Sequence, residues 1–155
     1  MGMEIEKKFK ITKLPNNLND YDFHIIEQAY LTTDPVIRVR REDDEYYMTY
    51  KGNSKNDTAL AHTEYNLPLT KESYDVLKSK SDGNVITKKR VLIPYLNHTI
   101  ELDIFDVPFA PLIIAEVEFD TIDEANDFAK PDWFSEEVTG CKEYSNSYLS
   151  RMIIK

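Results

Sequence analysis

The sequence predicts a mainly β fold, in which an antiparallel sheet curves strongly or closes into a barrel and a few helices cover it. Two observations predict this class. Eight segments either alternate polar and apolar residues or are rich in β-branched and aromatic residues, as strands are. Most connections between these segments are short, which favours antiparallel pairing of consecutive strands. The class is therefore α+β, dominated by a barrel-like sheet.

The strands can be placed one by one along the chain. Two short polar stretches, Glu42–Glu45 and Tyr95–Asn97, suit hairpin turns between consecutive strands. The alternation or the β-branched content ends at or close to each of these turns. The predicted strands are Met3–Ile11, His24–Thr32, Val36–Arg41, Tyr46–Lys51, Ala59–Leu69, Val85–Pro94, His98–Val107 and Leu112–Asp120.

Three segments have helical signals. The first carries apolar residues about one helical turn apart, which is a modest amphipathic pattern. In the second, Thr121 and Glu124 form a capping-box pattern, and the helix that follows stops before Pro131. The third lies near the end of the chain and can place its aromatic and aliphatic residues close to one face. The predicted helices are Lys71–Ser81, Thr121–Phe128 and Glu143–Met152.

The length and the net charge of the chain limit the classes of function that it can have. The chain has 155 residues, with 19 basic and 28 acidic side chains and a formal net charge of −9. This excess of acid argues against binding nucleic acid through non-specific phosphate neutralisation and against a basic anchor on an anionic membrane. Its single cysteine cannot form an intrachain disulfide, and no apolar run approaches the roughly 18 residues of a membrane span. We expect one domain over residues 1–155, in the cytoplasm, without a nucleic-acid or membrane partner.

Charged residues recur at alternate positions of the strands, so that they share one face of each strand. A water-facing side is the simplest explanation for one strand, but such sides usually also carry Thr, Ser and Gln. Like charges side by side persist best where opposite charge lies between them. In a closed barrel they would line one lumen with a basic and an acidic wall, which suits a polyanion bound with divalent cations. The cationic pairs are Arg38/Arg40 and Lys88/Arg90, and the anionic pairs are Glu101/Asp103 and Glu116/Glu118.

The residue types narrow the choice of metal and of chemistry. Carboxylates without His or Cys favour hard, oxygen-binding cations, so the expected metal is Mg²⁺ or Mn²⁺ rather than zinc. His24, His62 and His98 are scattered without metal-ligand spacing, and Cys141 has no evident histidine partner for nucleophilic chemistry. The sequence also lacks a Walker loop, a dinucleotide-binding glycine motif and a nucleophile elbow, which disfavours the common nucleotide-binding and hydrolase folds.

The N-terminal residues Glu4-Ile5-Glu6-Lys7-Lys8 match the E-x-E-x-K signature of the CYTH superfamily, the triphosphate tunnel metalloenzymes. This resemblance implies an eight-stranded antiparallel β-barrel that forms a tunnel for triphosphate. In length and motif order the chain resembles the small bacterial inorganic tripolyphosphatases, which implies metal-dependent hydrolysis of tripolyphosphate to pyrophosphate and phosphate. The other matching blocks follow in order and are Tyr30-Leu31-Thr32, Ile37–Arg40, Met48–Lys51, Lys88–Arg90, Glu101–Phe105, Glu116–Phe119 and Tyr144–Asn146.

The resemblance also implies roles for individual residues. The implied substrate-binding residues are Lys8, Arg38, Arg40, Lys51, Lys88 and Arg90. The implied metal ligands are Glu4, Glu6, Glu64, Asp103, Glu116 and Glu118, with Glu101 as a further candidate. The implied catalytic residues are Lys8, Arg38, Arg40, Lys88 and Glu116, and Tyr30 is expected to position a tunnel lysine.

Three positions depart from the family pattern. His62 and Asn66 stand where relatives often carry Arg and Glu, on the strand that holds Glu64. Glu143 precedes Tyr144, where a basic residue is common. The first two departures reduce the number of charged side chains expected in the tunnel, because His62 stands for an arginine and Asn66 for a glutamate. This change bears on metal binding and on substrate preference.

Two alternative functions therefore stay open. A nucleotide-acting member, either a nucleoside triphosphatase or an adenylyl cyclase, would share the same charged lumen. A polyphosphate-binding module without turnover would also share it, and binding without phosphate release would identify that case. Exposed tyrosines such as Tyr46, Tyr47 and Tyr148 leave a homodimer open as well.

Overall fold

The computed structural model describes residues 2–52, 58 and 60–154, and it builds them mainly from strands. The strands are β1 (Gly2–Ile11), β2 (Phe23–Thr33), β3 (Val36–Glu42), β4 (Glu45–Gly52), β5 (Ala61–Pro68), β6 (Asp82–Tyr95), β7 (His98–Phe105), β8 (Ile113–Phe119) and β9 (Phe134–Glu137). The helices are α1 (Lys71–Ser79), α2 (Ile122–Asn126) and α3 (Asn146–Arg151), and single 3₁₀ turns lie at Leu18–Asp20 and Lys142–Tyr144.

Eight strands close into an antiparallel barrel, which confirms the predicted fold class. The strand order is β5-β4-β3-β2-β6-β7-β8-β1, and the first residues of β1 close the ring by pairing with β5. Further along β1, Phe9 and Ile11 pair instead with β9, which extends the sheet beyond the point of closure. The long first strand therefore has three neighbours, since it also pairs with β8 from Ile5 to Phe9.

Threonine caps fix where the first two helices start. The Thr70 side-chain oxygen accepts a hydrogen bond from the Ser73 N–H ahead of α1. Thr121 does the same for the Glu124 N–H ahead of α2, as the capping pattern predicts. Each cap satisfies one backbone donor that the first helical turn leaves without an internal partner.

The apolar core lies outside the barrel wall. Most hydrophobic residues of β1, β7 and β8 point outward, where α2, β9 and the surrounding loops bury them. On the opposite side, Tyr74 of α1 packs on Ala29 and Val39 of β2 and β3. Because successive strand residues face opposite sides, this outward core leaves the charged faces of the strands to the lumen.

An apolar floor closes one end of the lumen. Tyr30, Ile86, Phe105 and Ile114 have the lumen-facing parity of their strands and pack against Leu149 of α3. The C-terminal helix thus acts as a plug at this end. The charged residues of the lumen lie further along the same strands.

A Gly83→Ala substitution is expected to displace this plug. Gly83 has φ +85°, and a Cβ there would overlap the carbonyl oxygen of Ser150 in α3. We expect a loss of about 1–3 kcal/mol in the free energy of unfolding, measured by denaturant titration. Activity should also fall, because α3 carries Asn146 into the lumen. Ser81→Ala is the matched control, and equal midpoints for the two variants would contradict the expectation.

Several element boundaries differ from those predicted. Strand β9 was not predicted, and Ala59, the predicted start of the fifth strand, lies outside the described residues. The predicted final helix Glu143–Met152 is divided, because Ser145 has extended backbone and its hydroxyl caps a new helix. The second helix ends at Asn126, short of its predicted end.

Two of the three tyrosines that were expected on the surface are half-buried. Tyr46 packs against Tyr74 with ring centroids 5.1 Å apart, and Tyr47 lines the lumen. Tyr148 is exposed. Among the helices of the described part of the chain, none has the length and apolar character to cross a membrane.

Candidate active site in the barrel lumen

The lumen contains a cavity of about 610 Å³ above the apolar floor. Strands from around the barrel and the segment 139–147 supply its lining. All the predicted site residues except Lys88 and Asp103 line this cavity, and so do Tyr30 and Glu101. Strand parity therefore brings together residues that are more than 100 positions apart in the sequence, such as Lys8 and Glu116.

Three carboxylates form an acidic cluster, which consists of Glu4, Glu6 and Glu118. One oxygen from each lies within 4.8 Å of the others, and the paired strands β1 and β8 hold them there. Burial and then neighbouring carboxylates raise the pKa of Glu6, and burial and then Glu101 raise the pKa of Glu118 to about 8. A cation between these groups would relieve both the burial of charge and the repulsion.

The donor set of the acidic cluster fits a hard divalent cation. It offers only carboxylate oxygens, which Mg²⁺ and Mn²⁺ prefer over the nitrogen and sulfur ligands of zinc. Within the described residues, the Glu101 Oε1 atom on the neighbouring strand is buried and has no hydrogen-bond partner. The residues present therefore suit the metal that the sequence predicts.

Two arginines of β3 form the part of the basic wall that carboxylates do not neutralise. Arg38 and Arg40 are both buried, and neither forms an ion pair with a carboxylate of residues 2–52, 58 or 60–154. The Arg38 Nε atom has no hydrogen-bond partner there. Arg40 donates from Nε to Gln28 Oε1 at 2.8 Å and from Nη1 to Tyr47 Oη at 3.2 Å. Buried guanidinium groups without an anion are costly, so this pair is suited to receive one.

Lys8 and Lys51 bridge the two walls of the cavity. Lys8 Nζ lies 3.3 Å from Glu116 Oε1, and Lys51 Nζ lies 2.9 Å from Glu4 Oε1 and 3.8 Å from Glu64 Oε2. Burial opposes the charge of Lys8, but Glu116 and Glu6 together outweigh burial and raise the pKa of the amine. Lys8 is therefore held charged beside Glu116.

Arg90 is the centre of a buried ion-pair network. Its Nε and Nη2 atoms donate to the two oxygens of Asp103 at 2.7 and 2.9 Å, in a bidentate pair. Nη2 also contacts Glu116 Oε2 at 2.6 Å, and Nη1 contacts Glu101 Oε2 at 3.2 Å. Burial opposes ionisation of Asp103, but Arg90 and then Lys88 hold its pKa below the usual range. The Asp103 carboxylate is thus paired with two cations, Arg90 and Lys88.

Lys88 and Asp103 form a layer below the cavity. Both are almost completely inaccessible, at 0% and 1% exposure, and Lys88 Nζ lies 2.7 Å from Asp103 Oδ2. Lys88 also donates to Asn146 Oδ1 at 3.2 Å and lies over the Phe105 ring of the floor. Burial lowers its pKa to about 8. The fold brings neither residue to the cavity lining, and Asp103 lies outside the acidic cluster.

The segment 139–147 lines the cavity, and its first four residues carry no periodic signal in the sequence. It is fixed to β1, because the Val138 N–H donates to the Lys8 carbonyl and the Lys8 N–H donates to Thr139 Oγ1 at 3.0 Å. The segment also places Cys141 and Lys142 at the cavity. The sequence signals within it are the predicted helix that begins at Glu143 and the Tyr144–Asn146 block.

The two departures on β5 also lie at the cavity. His62 and Asn66 flank Glu64 with the same parity, and all three line the lumen. Asn66 donates from Nδ2 to Glu64 Oε1 at 3.0 Å and accepts from the Thr49 hydroxyl at 2.6 Å. The amide therefore supports Glu64 through a hydrogen bond without adding a charge.

Comparison with known proteins agrees with this geometry. The chain is 34% identical to an inorganic triphosphatase of Nitrosomonas europaea, over 97% of this chain and 98% of that protein. It is 35% identical to an inorganic triphosphatase of Acetivibrio thermocellus, over 96% and 94% of the two chains. The crystal structure of the inorganic triphosphatase NE1496 superimposes with a TM-score of 0.70, at 33% identity and over 99% and 97% of the two chains. With a match to the family model of the CYTH domain over residues 2–152, the chain belongs to the CYTH domain family.

Proposed function

We propose that this protein is a divalent-metal-dependent triphosphatase that hydrolyses inorganic tripolyphosphate to pyrophosphate and phosphate. The observation that carries the proposal is the pairing, within one cavity, of the free arginines of β3 with the acidic cluster of β1 and β8. The two relatives named above are inorganic triphosphatases, and they match nearly the whole chain. A short phosphate chain with bound cations meets both walls at once.

The basic residues of the cavity bind and orient the phosphate chain. Arg38 and Arg40 are the first candidates, because carboxylates neutralise the other strand cations of the lumen. Lys8, Lys51 and Arg90 line the same cavity and complete the substrate-binding set. In hydrolysis, water attacks the terminal phosphorus and the bond to the pyrophosphate oxygen breaks. Positive charge held around the transferring group stabilises the transition state.

Glu4, Glu6 and Glu118 would hold the metal ion, with Glu64 beside them. When bound, Mg²⁺ or Mn²⁺ would supply positive charge to the phosphate oxygens and promote ionisation of the attacking water. Glu116 contacts Lys8 and Arg90, so we assign it to positioning these cations rather than to the metal. We assign Lys88 and Asp103, below the cavity, to the support of Arg90.

An Arg38→Met variant is expected to lose about 10²-fold in kcat/KM for tripolyphosphate while retaining its thermal stability. The buried guanidinium has no carboxylate within ion-pair distance in the described structure, so its removal breaks no direct ion pair. Initial rates and thermal unfolding measure the two quantities. Arg41→Met changes an exposed arginine three positions further along the same strand and serves as the control. Equal loss of activity in both variants would contradict this role.

The substrate is tested by product analysis. We would supply the purified protein with Mg²⁺ or Mn²⁺ and offer tripolyphosphate, ATP and thiamine triphosphate in parallel, identifying products by phosphorus NMR. Fast release of pyrophosphate and phosphate from tripolyphosphate, with ATP much slower, is the expected result. Cyclic AMP with pyrophosphate from ATP would make the chain a cyclase. Binding of tripolyphosphate without turnover would make it a polyphosphate-binding module.

We extend the proposal to three features that follow from the sequence. The domain is a single one over residues 1–155, and the protein works in the cytoplasm. A homodimer stays open, with Tyr148 as the exposed member of the three tyrosines first considered for an interface. Light scattering on the purified chain measures the oligomeric state.

A further inference from the structure

Gln28 is a buried polar residue to which sequence analysis gave no role. It lies on β2 directly opposite Arg40 of β3 in the strand register, and its side chain is 0% exposed. Its Oε1 atom accepts the hydrogen bond from Arg40 Nε at 2.8 Å. The direct cross-strand position and the short contact make Gln28 the neighbour that sets the direction of the Arg40 guanidinium.

The orientation of the Gln28 amide follows from its partner. Arginine nitrogens only donate, so the amide must present its oxygen to Arg40. The Nε2 atom is then left buried, with no hydrogen-bond partner in the part of the chain that is described. A flipped amide would place two donors against each other. The side chain thus keeps one donor unsatisfied in order to accept from Arg40.

A neutral partner distinguishes Arg40 from most other cations of the lumen. Lys8, Lys51, Lys88 and Arg90 each contact a carboxylate. Arg40 is held instead by the amide of Gln28 and the phenol of Tyr47. An amide oxygen fixes the guanidinium as a carboxylate would, but it leaves the positive charge without a counterion.

We propose that Gln28 is a positioning residue, which holds Arg40 toward the phosphate chain while leaving its charge free to bind phosphate. This assignment rests on the proposed triphosphatase function. Gln28 does not line the cavity, so it acts through Arg40. A glutamate of the same shape at this position would keep the hydrogen bond but neutralise the guanidinium before substrate arrives.

The test compares Gln28→Glu with Gln28→Met. For Gln28→Glu we expect KM and Kd for tripolyphosphate to rise ~10-fold or more, because a negative charge enters the basic wall. Its thermal unfolding midpoint should lie at or above that of the wild type. For Gln28→Met, which keeps the size but removes the acceptor, we expect kcat/KM to fall ~10-fold, because Arg40 loses its orientation. Asn16→Asp adds the same charge at an exposed site and is the control, which should leave KM unchanged.

A double-mutant cycle isolates the action through Arg40. In an Arg40→Ala background, Gln28→Met should produce no further loss in kcat/KM. Equal losses in the wild-type and Arg40→Ala backgrounds would overturn the assignment. This test does not depend on whether Gln28→Glu folds. If the wild type hydrolyses tripolyphosphate and Gln28→Glu leaves KM and Kd unchanged, the assignment of Gln28 is overturned while the proposed function stands. A wild-type chain that neither binds nor hydrolyses tripolyphosphate would overturn the proposed function as well.

Discussion

A Glu6→Gln variant is expected to lose about 10²-fold or more of its tripolyphosphatase rate. Glu6 belongs to the acidic cluster with Glu4 and Glu118, and one oxygen from each lies within 4.8 Å of the others. Glutamine keeps the shape of the side chain but removes one negative charge from the ligand set. The loss should therefore appear as a weaker apparent affinity for Mg²⁺ or Mn²⁺, measured from initial rates at rising metal concentration.

Glu137→Gln provides the matched control for this variant. Glu137 is exposed on β9, and its Oε1 atom lies 3.9 Å from Lys7 Nζ on the outer side of the barrel. The same chemical change there should leave both the rate and the metal dependence near the wild type, because exposed ion pairs contribute little. A Glu6→Gln variant with wild-type rate at low metal concentration would remove the acidic cluster from the mechanism.

An Asp103→Asn variant is expected to lose about 3 kcal/mol in the free energy of unfolding, together with most of its activity. Asp103 is 1% exposed and balances both Lys88 and Arg90. The amide cannot compensate two buried cations, so Lys88 would be left without a carboxylate partner. We expect KM for tripolyphosphate to rise as well, because Arg90 loses the bidentate contact that fixes it at the cavity. Denaturant titration and steady-state kinetics measure these changes.

Metal titration separates this supporting role from a role as metal ligand. If Asp103 supports Arg90, excess Mg²⁺ or Mn²⁺ will not restore the activity of Asp103→Asn. Rescue by excess metal, with unfolding unchanged, would return Asp103 to the metal ligands that the family resemblance implied. Asp75→Asn on α1 is the control for stability, since Asp75 forms an exposed pair with Lys71 and the variant should unfold near the wild-type midpoint.

The alternation of charge predicted which residues share the lumen but not how deep each one lies. Arg90 and Lys88 have the same parity on β6, yet the first lines the cavity and the second is sealed beneath it. A period of two defines a face, whereas depth depends on how the strands tilt and on what closes the barrel. The apolar floor of Tyr30, Ile86 and Phe105 decides this depth, and no local pattern indicates it.

The parts that escaped prediction depend on contacts between the two ends of the chain. Strand β9 has four residues, too few for a clear alternation, and it forms by pairing with β1 more than 120 positions away. The segment after it reaches the lumen because Thr139 accepts from the Lys8 backbone. Gln28 was missed for a different reason, because a single amide beside Glu27 in a strand does not reveal that the residue opposite is a buried arginine.

The most direct test of the lumen as a metal-assisted triphosphate site is a crystal structure with Mn²⁺ and a tripolyphosphate analogue whose bridging atoms resist hydrolysis. Anomalous scattering locates the manganese independently of the phosphate density. We expect a manganese peak in coordination with Glu4, Glu6 and Glu118, and phosphate density against Arg38 and Arg40. A manganese peak away from the acidic cluster, or an analogue bound outside the lumen, would contradict the proposed site.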